Sequence, residues 1–242
     1  MRKREILVPE FYLEIVIKDQ MSKAEIEKKV EQALGLTFFP DWEGDFEETD
    51  AVVAEAFGIT FALYEEPPAG FVLFARNLFL YEHKPIIVRA DRFIGELLRR
   101  RAGLSCEVEE GTPRVWVQMR GCTRVDTHHT LHQVAARVRA ALGARLEKGF
   151  HRFRMQDNRV MESEYGFEGH LLGHRIEVYA QKSAGRVAIP RPIIVEVAPA
   201  EEFSLNEEWE KIEIPISEFL TVLLQEETDL PFVPYEVASG SS

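Results

Sequence analysis

The run VDTHHTLH, Val125 to His132, gathers the side chains with the most obvious chemical potential in this chain of 242 residues. His128 and His132 stand four apart, the spacing that puts two imidazoles on one helical face for a metal, and His129 and Asp126 would complete such a site. Thr130 followed by Gln133 argues against it. That pair forms a capping box, which starts the helix at Leu131 and leaves His128 outside it. Surface or capping histidines are the preferred reading, and no metal and no cofactor are assigned. His170 and His174, in GHLLGHRIEVY, repeat the spacing inside a segment that alternates with strand period, where it carries a different meaning. His174 is expected to be a partly buried structural histidine.

Other chemistry has little to stand on. The sequence holds no GxSxG elbow, no GxxxxGK[ST] loop, no GxGxxG turn and no HExxH. Cys106 and Cys122 form no CxxC pair and read as small buried apolar groups in a reduced compartment. HRFRMQDNR, His151 to Arg159, interleaves aromatics with arginines as single-stranded nucleic-acid surfaces do, but in an acidic protein it is expected to be a loop, solvated or paired within the chain. The expectation is therefore a protein without catalytic residues. The alternative is an enzyme with a site between two halves, using histidines and carboxylates, with metal assistance at His128, His129 and Asp126.

The elements that would position these residues occur in pairs. SKAEIEKKVEQALG, Ser22 to Gly35, aligns without a gap on TLHQVAARVRAALG, Thr130 to Gly143. FGITFALY, Phe57 to Tyr64, matches LGHRIEVY, Leu172 to Tyr179, and Gly70 then falls on Gly185. ADRFIGELLRRR, Ala90 to Arg101, matches ISEFLTVLLQEE, Ile216 to Glu227. Three blocks in one order predict a tandem duplication of a β-α-β-β-β-α unit, of α+β class, with mainly antiparallel sheets and helices packed on one face.

In the first copy the pattern gives a strand over Phe11 to Lys18 and a helix over Lys23 to Leu34, with Ser22 as cap and Gly35 as stop. Strands follow at Val52 to Phe57, Ile59 to Tyr64, Phe71 to Ala75 and Ile86 to Val88, then a helix capped by Asp91. The second copy gives Val115 to Val117, a helix over Leu131 to Leu142, strands near Val160 to Tyr165, Ile176 to Tyr179 and Ile193 to Val197, and a helix capped by Ser217. Leu104 to Pro113 reads as a linker. The expected divisions are residues 1–107, residues 108–236 and a disordered tail over 237–242.

The net charge is −12, which argues against a partner made of nucleic acid. Asp41 to Glu66 holds nine acids and no Lys or Arg, whereas Arg114 to Arg191 holds fourteen Lys or Arg against seven acids. The sharpest contrast is local. FPDWEGDFEETD follows the first helix of one copy, and EKGFHRFRMQDNR follows that of the other. Asp41, Glu43, Asp45, Glu47, Glu48 and Asp50 are candidate partner-binding residues that attract a basic protein, with Trp42 and Phe46 as anchors. Pro9, Glu10 and Glu14 interrupt the opening apolar run before it reaches signal-peptide length, and no stretch is long enough to span a membrane, so a cytoplasmic protein is expected.

The cadence of LGHRIEVY followed by IPISEFLTVLLQEETDLPFVP resembles the bacterial immunity-type proteins of polymorphic toxin systems, although the aromatic after the last helix is displaced to Phe232. The resemblance covers the later part of each copy and carries no catalytic residue. It implies a cytoplasmic inhibitor that occludes a toxin or effector protein.

Overall fold

Leu13, Ile15 and Ile17 are buried while Tyr12, Glu14 and Lys18 between and beyond them are exposed, so the first strand presents one aliphatic side to the interior. The computed structural model describes residues 7–41, 50–77, 84–156, 159–180, 191–200 and 209–235. The first half runs β1 (Leu7–Ile17), α1 (Lys23–Leu34), β2 (Phe39–Pro40), β3 (Val52–Ala56), β4 (Ile59–Glu66), β5 (Gly70–Asn77), β6 (Lys84–Arg89), α2 (Asp91–Ala102) and β7 (Cys106–Glu107). The second runs β8 (Val115–Thr127), α3 (Leu131–Leu142), β9 (Glu147–Gln156), β10 (Arg159–Leu171), β11 (His174–Ala180), β12 (Arg191–Pro199), β13 (Glu210–Pro215), α4 (Ser217–Thr228) and β14 (Val233–Pro234). The class is α+β, with four helices and two mostly antiparallel sheets among the described residues. No helix among the described residues is long and apolar enough to cross a membrane.

The two sheets have one plan. The first is ordered β2-β3-β4-β5-β1-β6 with β7 also on β1, and the second β9-β10-β11-β12-β8-β13 with β14 also on β8. The register agrees as well as the order. Leu13 pairs with Ala75 as Gly121 pairs with Val197, and Ile59 pairs with Asn77 as His174 pairs with Pro199. Among the described residues the only parallel pairs, β1 with β6 and β8 with β13, sit at equivalent edges. Each half holds seven strands among the described residues, more than the four of the expected β-α-β-β-β-α unit or the five read along the first copy. Two-residue strands such as β2, β7 and β14 are too short to show a period. β7 also lies inside the expected linker, pairing Cys106 with Ile17 and Glu107 with Val16. β8 is far longer than the expected Val115 to Val117. Gly185 and residues 237–242 lie outside the described residues.

Both first helices start as the sequence indicates. The Ser22 N–H donates to the Glu25 carboxylate at 3.0 Å, and Thr130 and Gln133 exchange the same reciprocal bonds. The last helices do not. Ala90 and Ile216 are the caps, and Asp91 and Ser217 are first helical residues that turn their oxygens to a strand. Asp91 Oδ1 accepts from the Glu14 N–H at 2.9 Å, and Ser217 Oγ from the Cys122 N–H at 3.0 Å. The cause is nonlocal. On one edge β1 pairs with β6 only as far as Tyr12, and with β7 from Val16, so the amide of Glu14 falls in a gap that Asp91 closes. Ser217 closes the corresponding gap between β13 and β14.

The halves meet reciprocally. The last carbonyl of an α-helix has no partner within the helix. Leu34 O accepts from the Leu172 N–H at 2.8 Å, and Leu142 O from the Phe57 N–H at 3.3 Å, so each half's first helix ends on the hairpin turn of the other. Phe57-Gly58 and Leu172-Gly173 have positive φ throughout, as two-residue type I′ turns require. A bulky residue in that conformation costs about 1–2 kcal/mol. Burial of the Phe57 and Leu172 side chains, at roughly 1.5–3 kcal/mol each, offsets it. Buried faces of all four helices and the inner faces of both sheets belong to one apolar cluster.

Gly35 and Gly143 sit at the centre of this contact. A Cβ on Gly35 would lie 1.9 Å from His170 O, and one on Gly143 would lie 1.7 Å from Glu55 O. Gly35→Ala and Gly143→Ala should each cost at least about 2 kcal/mol. Gly103→Ala, at a φ of 66° with nothing within 4 Å of the new atom, should cost only about 1 kcal/mol. Urea unfolding of the three variants checks this ranking.

Candidate interaction surface

The acidic segment is rooted at the outermost strand of the first sheet. Phe39 pairs with Val53 and Pro40 with Val52, and the Asp41 N–H donates to Ala51 O at 3.3 Å, closing the two ends of the segment against each other. Asp50 is exposed and Asp41 is half-buried. Trp42, Glu43, Asp45, Phe46, Glu47 and Glu48 lie outside the described residues. The approach to this root is held from the other half. Glu31 on α1 accepts from the Phe38 N–H at 2.8 Å, and Arg145 reaches across to Glu31 at 3.2 Å and to Thr37 Oγ1 at 3.1 Å. Phe38 itself is buried.

At the equivalent place in the second half, β9 and β10 pair antiparallel, with register shifts between Val160 and Glu162 and between Gly166 and Phe167. The basic run expected to be a loop is therefore mostly strand. Its register sets Arg154 opposite Glu162 and Arg152 opposite Glu164, so opposite charges occupy facing positions of the ladder. β10 pairs with β11 only from Gly166 to Leu171 among the described residues, and the outer part of the hairpin pairs within itself.

The histidines divide by role. His128 precedes α3, as the capping box requires, and the Asp126 carboxylate pairs with Arg124 at 2.8 Å. The His132 ring lies 5.6 Å from that of Phe167. Among the described residues no group of three or more His, Cys, Asp and Glu side chains is placed to hold a metal ion. His170 is exposed on β10, whereas His174 is fully buried on β11 between the halves, beyond the partial burial expected. Its Nε2 accepts from the Met119 N–H at 2.9 Å, which leaves Nδ1 to donate to Leu172 O at 2.9 Å, and its edge meets the Phe93 ring of α2. Burial holds this imidazole down at about 4. Cys122 is buried and Cys106 partly so. Burial, and secondarily Asp19, pushes the Cys106 thiol up to about 12, which removes its nucleophilic form at neutral pH.

One exposed feature had no signal in the sequence. Ile87 on β6 is 71% exposed and Tyr12 beside it on β1 is 45% exposed. The equivalent positions on β13 and β8 are Glu213 and Arg120, a solvated ion pair at 4.0 Å. Val88 of the same strand points into the core, and strand alternation turns Ile87 to the opposite face. Comparison with protein-family models, curated proteins and solved structures gave no match.

The His174 site has a pH signature. Its folded pKa lies below the unfolded value, so as pH falls the unfolded chain takes the proton first. The His174 contribution is complete above about pH 6.5 and is lost progressively down to about pH 4. The loss should total roughly 3 kcal/mol. Urea midpoints measured across this window should fall more steeply in the wild type than in His174→Gln.

Proposed function

We propose that the chain is a non-catalytic binding protein, an immunity-type inhibitor that occludes a basic toxin or effector protein through the acidic surface of residues 41–50. The observation that carries this reading is a difference between matched positions. After its first helix, one half continues into a ladder whose arginines stand opposite glutamates, while the other leaves its edge strand at Asp41 and carries six acids with no Lys or Arg before returning at Ala51. Acids rooted at a sheet edge supply the potential that accelerates encounter with a basic cleft, and Trp42 and Phe46 supply apolar anchors. Inhibition by occlusion requires no catalytic group.

The shared strand order and register support a finer proposal, that both halves descend from one unit copied in tandem. On that reading the ancestral unit paired with itself about a two-fold axis, where residue i meets j and j meets i. Fusion then freed one edge of each half to diverge. The place of action is a cell interior, where such an inhibitor protects its producer.

Affinity capture from the source cell, at low and at high salt, should retain one basic protein that high salt releases. Replacement of Asp41, Glu43, Asp45, Glu47, Glu48 and Asp50 by Asn or Gln should weaken the complex at least about tenfold, since each exposed charge contributes up to about 1 kcal/mol. Capture at full strength by the neutralised protein would show that this surface is not the binding site.

A further inference from the structure

We propose that a hollow between α3 and the start of the β9-β10 hairpin is a binding socket for a small aromatic carboxylate. The hollow measures about 160 Å³ and is lined by His132, Ala135, Ala136, Arg139, Leu146 and Phe167. A cavity of about 150 Å³ takes one benzene ring in an engineered protein, so the space here matches a single ring. Its lining is divided by chemistry. Phe167 and Ala135 are buried and Leu146 partly so, which gives an apolar floor, and the His132 ring tilted against Phe167 adds an aromatic wall. Arg139 lies seven residues along the same helix, about 10 Å from His132 in axial rise, and brings a guanidinium fork to the far rim. Among the described residues no carboxylate lines the space. An aryl ring seated on the floor would therefore direct its carboxylate to Arg139, the pairing for which a planar fork is suited.

The first half provides an internal comparison. The two first helices match cap for cap, so His132, Ala135, Ala136 and Arg139 correspond to Ala24, Glu27, Lys28 and Glu31. Glu27 and Lys28 stand where two alanines leave the hollow open. Glu31 stands where Arg139 supplies the cation, and it is engaged by Arg145 and the Phe38 amide. The two differences from the first helix that define the socket, less bulk and the opposite charge, both favour an apolar anion.

Full-length protein titrated with benzoate, acetate and benzyl alcohol, followed through the His132 ring resonances, tests the assignment without any protein partner. Benzoate should bind with a Kd on the order of 1 mM, as a ligand of this size permits. It should bind at least about tenfold more tightly than either control, because each control lacks one of the two features recognised. Ala136→Leu fills the hollow and should abolish benzoate binding. Arg139→Gln should weaken benzoate about fivefold and leave benzyl alcohol unchanged. Both replaced residues are exposed, so thermal unfolding should show intact folds. Benzoate binding no tighter than acetate, or undiminished in Ala136→Leu, would overturn the proposal.

Discussion

Two backbone hydrogen bonds, Leu172 N–H to Leu34 O and Phe57 N–H to Leu142 O, fix how the halves of this protein sit together. Each satisfies a helix-terminal carbonyl that would otherwise be stranded in the interior, where an unpaired group costs about 1–3 kcal/mol. The donor comes from a tight turn of the opposite half, and the turn can approach because the residue after each helix is glycine. Three requirements converge on that residue: a left-handed φ, a helix stop and room for a foreign carbonyl. The same turns carry Phe57 and Leu172 into the shared core. Polar satisfaction and apolar burial therefore depend on one contact made twice.

Strand gaps are closed by a similar economy. β1 and β8 each receive a parallel neighbour on one stretch and a short antiparallel neighbour further along the same edge. Between them lies a single amide, and the first residue of the following helix reaches it. Asp91 does so with a fully buried carboxylate that Arg89 also contacts at 3.3 Å, whereas Ser217 does so with a neutral hydroxyl. The position demands an acceptor and tolerates either charge state. The first half balances its buried charge with a cation on the same strand end, and the second has no charge there to balance.

Much of this order is legible in the residues because it is local. Ser22 with Glu25, Thr130 with Gln133 and the glycines at 35 and 143 mark both first helices correctly, since a cap and its box lie within four residues of each other. The match of FGITFALY with LGHRIEVY aligns the Phe57-Gly58 and Leu172-Gly173 turns with each other. What is not legible is decided at a distance. Asp91 and Ser217 have the residue types of caps, yet a gap in a strand about 80 to 95 positions away determines what they bind. HRFRM alternates well enough to be a strand, but the partner that makes it one, β10, begins only after it in the chain. The root of the acidic segment is readable as charge contrast, while the clamp through Arg145 joins residues over a hundred positions apart. Nothing along the chain marks the Tyr12 and Ile87 patch, because an edge strand and a central strand can share one composition.

The differences between the halves follow from what the shared contacts leave free. Inner faces must supply one common core, so Leu, Ile, Val and Phe recur there at matched positions. Helix ends and hairpin turns must interlock, so glycine recurs at 35 and 143. Neither constraint reaches the outer strands or the solvent side of the first helices. An acidic segment follows one first helix where a strand ladder follows the other, an exposed Tyr and Ile stand where the other edge has an ion pair, and alanines stand where the other helix has Glu27 and Lys28. All three differences occur at positions where the interlock makes no demand. A scaffold held by reciprocal backbone contacts can therefore differ in its outer surfaces one edge at a time, because no such difference disturbs the bonds that hold the halves together.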